Sequence, residues 1–300
     1  MNIADATVSA ARKFFNKKNI PLDFMLEPMR GDQSIIIPIG MNNRKFFCKT
    51  FLSRTKQQIL SEIEFVETLA KYDVAVMSYL DINSRKVFCF PGFTNCWSYI
   101  TESVEGERNV VLNNSIIFEI IDEISKMHYV TRKLDWSLSG IDTITDYQKL
   151  EQLFIDKQSF FESDFVGRIV ENVLAGGHDN YLLYPIHSDL YCRNIMVEDH
   201  HFKAFIDFSD LRFSGFEDDL GKFIQSILLS TNLMMREIEN FIIYYEKVSH
   251  LLISRRNLCI SVVYHILELL FLEIDGCEKE DIMIKMDAIR RILSYYDMWR

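Results

Sequence analysis

Apolar positions repeat with one period early in the chain and with another later. Ser34–Ile39 (SIIIPI) and Lys45–Phe51 (KFFCKTF) are rich in β-branched and aromatic residues, and Gly40–Arg44 (GMNNR) between them is a turn cluster. That combination predicts a β-hairpin. Phe24–Leu26 adds an edge strand upstream. In Gln57–Lys71 the apolar residues Ile59, Ile63, Val66 and Ala70 fall at helical spacing. Further strands are expected at Ala75–Leu80, Lys86–Phe90 and Trp97–Glu102. After Gly106 the pattern turns helical, beginning with Ser115–Tyr129, whose stripe is Ile117, Ile120, Ile121, Ile124 and His128. Later helices are expected at Thr145–Glu162, Phe165–Ala175, Leu220–Leu229, Glu237–Leu252, Leu258–Ile274 and Lys279–Tyr296. Two short strands, Asn194–Val197 and Phe202–Asp207, interrupt them and are joined by a turn at Glu198–His201. The pattern predicts an α+β chain: a β-rich N-terminal lobe, a connector and a mostly helical C-terminal lobe.

A chain of 300 residues buries about 75% of its unfolded surface, so its core needs neither disulfides nor metal. Hydrophobic residues at 48% and only 11 Gly and 5 Pro exclude a disordered or collagen-like chain. The net charge of −10 argues against a nucleic-acid partner, which calls for clustered Lys and Arg, and suits a cationic ligand. The six cysteines, at 48, 89, 96, 192, 259 and 277, include no CxxC pair, which reads as reduced thiols of a cytoplasmic protein. The N-terminal MNIADATVSAARKFF lacks the apolar centre of a secretory signal. The most apolar stretch, Ile260–Ile274, is broken by His265, Glu268 and Glu273, so no membrane span is expected.

One segment carries chemistry. Ile186–Val197 reads IHSDLYCRNIMV, and Ile206–Asp210 (IDFSD) follows. His187, Asp189, Asn194 and Asp207 thus form H-x-D-x-x-x-x-N and then I-D-F, the order of a kinase catalytic loop followed by its metal-binding hairpin. Phosphoryl transfer needs an anionic group at the attacking hydroxyl and oxygen ligands for the Mg²⁺ that bridges the phosphates. Asp189 is the candidate catalytic group, and Asn194 and Asp207 are the candidate metal ligands.

These strings resemble the aminoglycoside phosphotransferase and choline-kinase-like family more than the protein kinases, which favour HRD and DFG. The resemblance runs from about residue 28 to 228, with Ser188, Tyr191–Cys192 and Ser209 departing from the family's usual residues. It implies a protein-kinase-like bilobal fold with a nucleotide-binding lobe over 1–102, a hinge over 103–107 and a catalytic and substrate-binding lobe over 108–300. It also implies ATP or GTP as phosphoryl donor and Mg²⁺ as cofactor. Lys49 matches the phosphate-contacting lysine. Glu62 shares a helix face with Ile59 and Val66, and a carboxylate on an apolar face needs a cation, for which Lys49 is the expected partner. Ser34 closes the segment (RGDQS) in the place of the phosphate-covering loop, and Glu102 to Val104 stand where the hinge reads the purine edge. Asp219, in EDDLGKF, is expected to fix the catalytic loop or cap a helix, His187 to bond that loop's backbone, and His128 to be a packing residue.

The acceptor follows from the resemblance as a small-molecule hydroxyl, met by a pocket in the C-terminal helices. Acids in or near those helices, Asp210, Glu217, Glu268 and Asp275 among them, point to a cationic antibiotic such as an aminoglycoside. A metabolic kinase for choline, a sugar or homoserine is the same-class alternative, and a nucleotide sensor without turnover is the alternative from another class.

Overall fold

The structure, a computed structural model, describes residues 3–31, 34–93, 95–108, 110–142, 147–157, 164–176, 182–231, 233–276 and 278–296. Cys277 and the ends of the expected Thr145–Glu162 helix fall outside them. The chain forms two compact units. The first is Met1–Gly106 with Ser137–Ile141 and Lys203–Ser209; the second is Glu107–Trp136, Asp142–Phe202 and Asp210–Arg300.

The first unit opens with a helix the pattern did not predict, α1 (Ile3–Lys17). Its Ala10, Ala11, Phe14 and Phe15 share one core with Ile35, Ile37, Ile39, Phe88 and Phe90. An antiparallel sheet follows, with strand order β1 (Phe24–Met25), β3 (Ser34–Met41), β4 (Arg44–Phe51), β6 (Trp97–Glu102) and β5 (Phe88–Cys89); β2 (Met29–Arg30) also pairs with β3. The β3–β4 hairpin turns at Asn42 and Asn43, both left-handed (φ 53° and 60°), the conformation that a two-residue hairpin turn requires. Helix α2 (Lys56–Lys71) starts at a capping box in which Thr55 accepts from Gln58 N and Gln58 accepts from Thr55 N.

Ala75–Leu80 is not a strand. Its backbone bonds alternate between two neighbours: Met77 N donates to Phe205 and Phe205 N to Ala75, while Leu80 N donates to Ile100 and Ser78 accepts from Glu102. Neither side builds a ladder. The expected Lys86–Phe90 strand shrinks to β5.

In the second unit the helices are α3 (Asn114–Lys133), α4 (Tyr147–Lys157), α5 (Asp164–Gly176), α6 (Phe216–Ser230), α7 (Met235–Ser249), α8 (Arg255–Glu273) and α9 (Lys279–Tyr295). Helix α8 is apolar around most of its circumference because it is the central helix, packed by α4, α5, α6 and α9. It packs tightly on α6 at Gly221, where any Cβ would collide with Ser261. Two short strands not predicted, β7 (Tyr184–Ile186) and β10 (Arg212–Ser214), pair antiparallel, and β7 runs straight into His187. A 3₁₀ turn at Cys192–Asn194 leads to β8 (Ile195–Glu198). The expected turn follows at Asp199 and His200, both left-handed, and opens β9 (His201–Phe205), which begins in the second unit and ends in the first. Among the described residues no helix is long and apolar enough to cross a membrane.

Candidate active site

In the second unit, the loop after β7 is pinned by one carboxylate. Asp219, buried in the first turn of α6, accepts from Ser188 N at 2.6 Å and from His187 N at 3.0 Å. Its Oδ2 also lies 3.1 Å from His128 Nε2, and His128 Nδ1 lies 2.8 Å from the Tyr245 hydroxyl. The His128 ring stacks on Phe216. Asp219 and His128 therefore have the structural roles expected of them: two buried backbone N–H groups that no strand satisfies are met by a charged acceptor. His187 accepts from Asp189 N at 3.3 Å, within the loop's own backbone. Ser188 is left-handed (φ 64°) and its hydroxyl donates to the Asp210 carbonyl.

This brace presents Asp189. Its Oδ2 accepts from Asn194 Nδ2 at 2.6 Å, and the same amide reaches the Asp189 carbonyl at 2.9 Å. Two cations that the sequence reading did not single out flank it, Arg193 Nη2 at 3.3 Å and Lys222 Nζ at 3.7 Å. Lys222 stands three residues after Asp219, so a helix reading of EDDLGKF places both on one side of α6.

In the first unit, Lys49 Nζ donates to Asp207 Oδ1 at 2.6 Å and to Ser209 Oγ at 3.3 Å. Asp207 is itself left-handed (φ 61°). Glu62 does not pair with Lys49. It is fully buried against Arg54, and its Oε1 accepts from the hydroxyls of Tyr79 at 2.7 Å and Tyr99 at 3.0 Å. Burial, and then the negative charge of Glu62, pushes both phenols well above their ordinary value. The cation that Glu62 needs comes from the residue just before the α2 cap, which leaves Lys49 to Asp207.

Ser34 is buried at the start of β3, with its carbonyl accepting from Gly31 N at 2.8 Å; Asp32 and Gln33 lie outside the described residues. At the expected hinge, Glu102 N donates to Ser78 and Ser103 N to Lys45, and the Glu102 carboxylate pairs with Arg44. Val104, half-buried, has an N–H with no partner among the described residues.

No family model matches the chain, and no curated protein matches it. Solved structures do. The amicoumacin kinase hAmiN, in complex with AMP-PNP, Ca²⁺ and Ami, aligns over 97% of this chain and 96% of its own at TM-score 0.71 and 12% identity. The GDP complex of aminoglycoside 2'-phosphotransferase-IIIa aligns over 98% and 100% at TM-score 0.66 and 12% identity. The microcompartment-associated aminopropanol kinase aligns over 95% and 94% at TM-score 0.66 and 16% identity. The chain has the protein-kinase-like fold.

Asn194 in the second unit and Asp207 in the first each offer an oxygen donor suited by its chemistry to Mg²⁺. Asn194 turns its Nδ2 toward Asp189, and its Oδ1 accepts nothing among the described residues. Asp207 offers a carboxylate that is 35% exposed. Both are oxygen donors, the type this hard ion takes.

The four acids expected to form a substrate pocket have these surroundings. Glu217 accepts from Ser254 N at 3.1 Å, at the start of α8. Glu268 lies 3.8 Å from His265 on the same helix, about 21 Å further along its axis. Asp275 is exposed and paired with Lys157, and Asp210 is exposed with its carbonyl holding Ser188.

Proposed function

We propose that the chain is a small-molecule kinase that transfers the γ-phosphoryl group of ATP or GTP to an alcohol. The observation that carries this reading is the mounting of Asp189: a carboxylate fixed by Asn194, on a loop held through two backbone N–H groups by Asp219. Such a group orients a hydroxyl and takes its proton at Oδ. The hydroxyl oxygen forms the new bond to the γ-phosphorus, the bond to the β–γ bridging oxygen breaks, and the nucleoside diphosphate departs. Asn194 and Asp207 would hold Mg²⁺, which when bound neutralises charge on the phosphates. Lys49 engages the α- and β-phosphates, and the free N–H of Val104 serves the purine edge. Ser34, at the start of β3, and Glu102, at the end of β6, complete the nucleotide-binding set.

For the acceptor, the company of antibiotic kinases among structures of this fold supports a cationic antibiotic such as an aminoglycoside. The separation of Glu217, at the start of α8, from Glu268, near its end, favours a second reading, a metabolic acceptor that carries one positive charge or none. The test is a coupled nucleoside-diphosphate assay with Mg²⁺ across aminoglycosides, other antibiotics, choline, amino alcohols, sugars and homoserine. One acceptor class should turn over, and Asp189→Asn should lose at least ~10²-fold in kcat with nucleotide affinity little changed. An Asp189→Asn enzyme as fast as the parent refutes the role.

A further inference from the structure

A second concave site lies in the first unit, between α1, α2 and the segment leading to β5. It has a volume of about 1080 Å³, at the upper end of small-molecule pockets. None of the residues assigned above to phosphoryl transfer lines it. Its walls are apolar and aromatic: Phe14, Leu60, Phe88 and Trp97. Four cations also line it, Lys18, Lys56, Arg85 and Lys86, against one acid, Asp81. In a chain of net charge −10 that local excess runs opposite to the whole molecule.

These cations differ in how they are held. Lys86 pairs with Glu67, and Lys56 lies over the Trp97 ring with Nζ 5.4 Å from its centroid. Lys18 and Arg85 make no side-chain ion pair among the described residues. Arg85 is presented by a tight turn: Ile82 and Arg85 exchange backbone hydrogen bonds at 2.8 and 3.1 Å across the left-handed Asn83 and Ser84. The pocket also lies at the N-terminus of α2, where the first turn carries no acid to offset the helix dipole. Unpaired cations on a fixed rim above a flat aromatic wall select an anion with a planar body.

We propose that this groove is a binding site for a small phosphate ester or similar anion with a planar apolar group, separate from the nucleotide of the kinase reaction. The anionic end would meet Arg85 and Lys18, and the flat part would lie against Trp97. The site does not depend on the acceptor of the kinase reaction, and its test needs no turnover.

The probe is 1-naphthyl phosphate, titrated calorimetrically into the full chain with AMP-PNP and Mg²⁺ present in excess. One equivalent should bind, and neutral 1-naphthol should bind at least tenfold more weakly. Arg85→Glu and Lys18→Glu, both at exposed positions, should each weaken the phosphate at least tenfold while the melting temperature and the kinase activity stay as in the parent. Trp97→Phe should weaken it less than either charge reversal. No binding, equal binding of 1-naphthol, or unchanged affinity in both charge-reversed variants overturns the proposal. Binding seen only when AMP-PNP is left out does so as well, since the probe would then be reporting the nucleotide site.

Discussion

Replacing Arg54 with Met isolates the Glu62 arrangement. Met keeps an apolar chain of similar length and removes the guanidinium, which lies over the Phe51 ring and pairs with Glu62. The carboxylate, fully buried, is then left with only the hydroxyls of Tyr79 and Tyr99. Breaking one partner of a buried pair costs about 3–5 kcal/mol, a large share of a total stability of about 5–15 kcal/mol. Adding Glu62→Gln should recover at least half of the loss, because a neutral amide oxygen still accepts from both tyrosines. Urea unfolding followed by circular dichroism measures all three proteins. The same variants separate two wirings of the site. If Lys49 works from Asp207, then Arg54→Met leaves the nucleotide KM within about twofold in the folded protein, whereas Lys49→Met raises it strongly. A loss below ~1 kcal/mol for Arg54→Met, or a double variant no more stable than the single one, refutes the buried-pair account.

Other positions give sharper local tests. At Ser188, left-handed at φ 64°, Gly should be better tolerated than Ala by about 1 kcal/mol, since both lose the hydroxyl but only Gly is relieved of the backbone strain; an Ala variant as stable as the Gly one contradicts that geometry. Burial raises the Glu217 carboxyl above its ordinary 4.5, so the folded chain holds that proton to higher pH than the unfolded chain and stability falls as pH rises between the two values. Glu217→Gln removes this cost: it should melt above the parent at pH 7 and with it at pH 3. A raised acceptor KM with unchanged melting would instead make Glu217 a substrate contact. Mg–ATP or Mg–GTP at about 100 times Kd should add roughly 2.7 kcal/mol, a rise of about 5–10 °C in Tm, and no rise with either nucleotide counts against the kinase reading.

What could be read beforehand follows from how local each feature is. Asp189, Asn194 and Asp207 lie within one short loop and the hairpin after it, so the spacing that singled them out is a local feature of the chain. The helices of the second unit showed their stripes directly, as did the turn at Asp199 and His200. Helix α1 was missed because Ala10 and Ala11 add little hydrophobic contrast to the stripe that Phe14 and Phe15 complete. Ala75–Leu80 has the composition of a strand, and only its divided bonding to Phe205 and Ile100 denies it a ladder. The partner of Glu62 was a choice among cations that tertiary packing alone decides. The nearest signal was Arg54, placed immediately before the Thr55 cap. The grouping of acids on α6 and α8 rested on a charge count, which carries no direction, and α8 separates Glu217 from Glu268 by most of its length.

The first unit is not made of one continuous stretch, and that sets a clock on its folding. Ser61 donates to the Ser139 carbonyl at 2.9 Å, Phe65 packs edge-on to Phe208 at 6.0 Å, and Lys49 closes on Asp207. All three completing residues belong to segments that follow Gly106, the last of them about 100 residues later. At a synthesis rate of about 5–20 residues per second, a nascent sheet waits roughly 5–20 s before Asp207 and Phe208 emerge. For that interval Phe65 lacks its aromatic neighbour and Lys49 its carboxylate. A message truncated near codon 106 would yield a piece that cannot finish, a natural client for chaperones, whereas a chain that has passed Ser209 holds every part of its first unit before α6, α7, α8 and α9 are made.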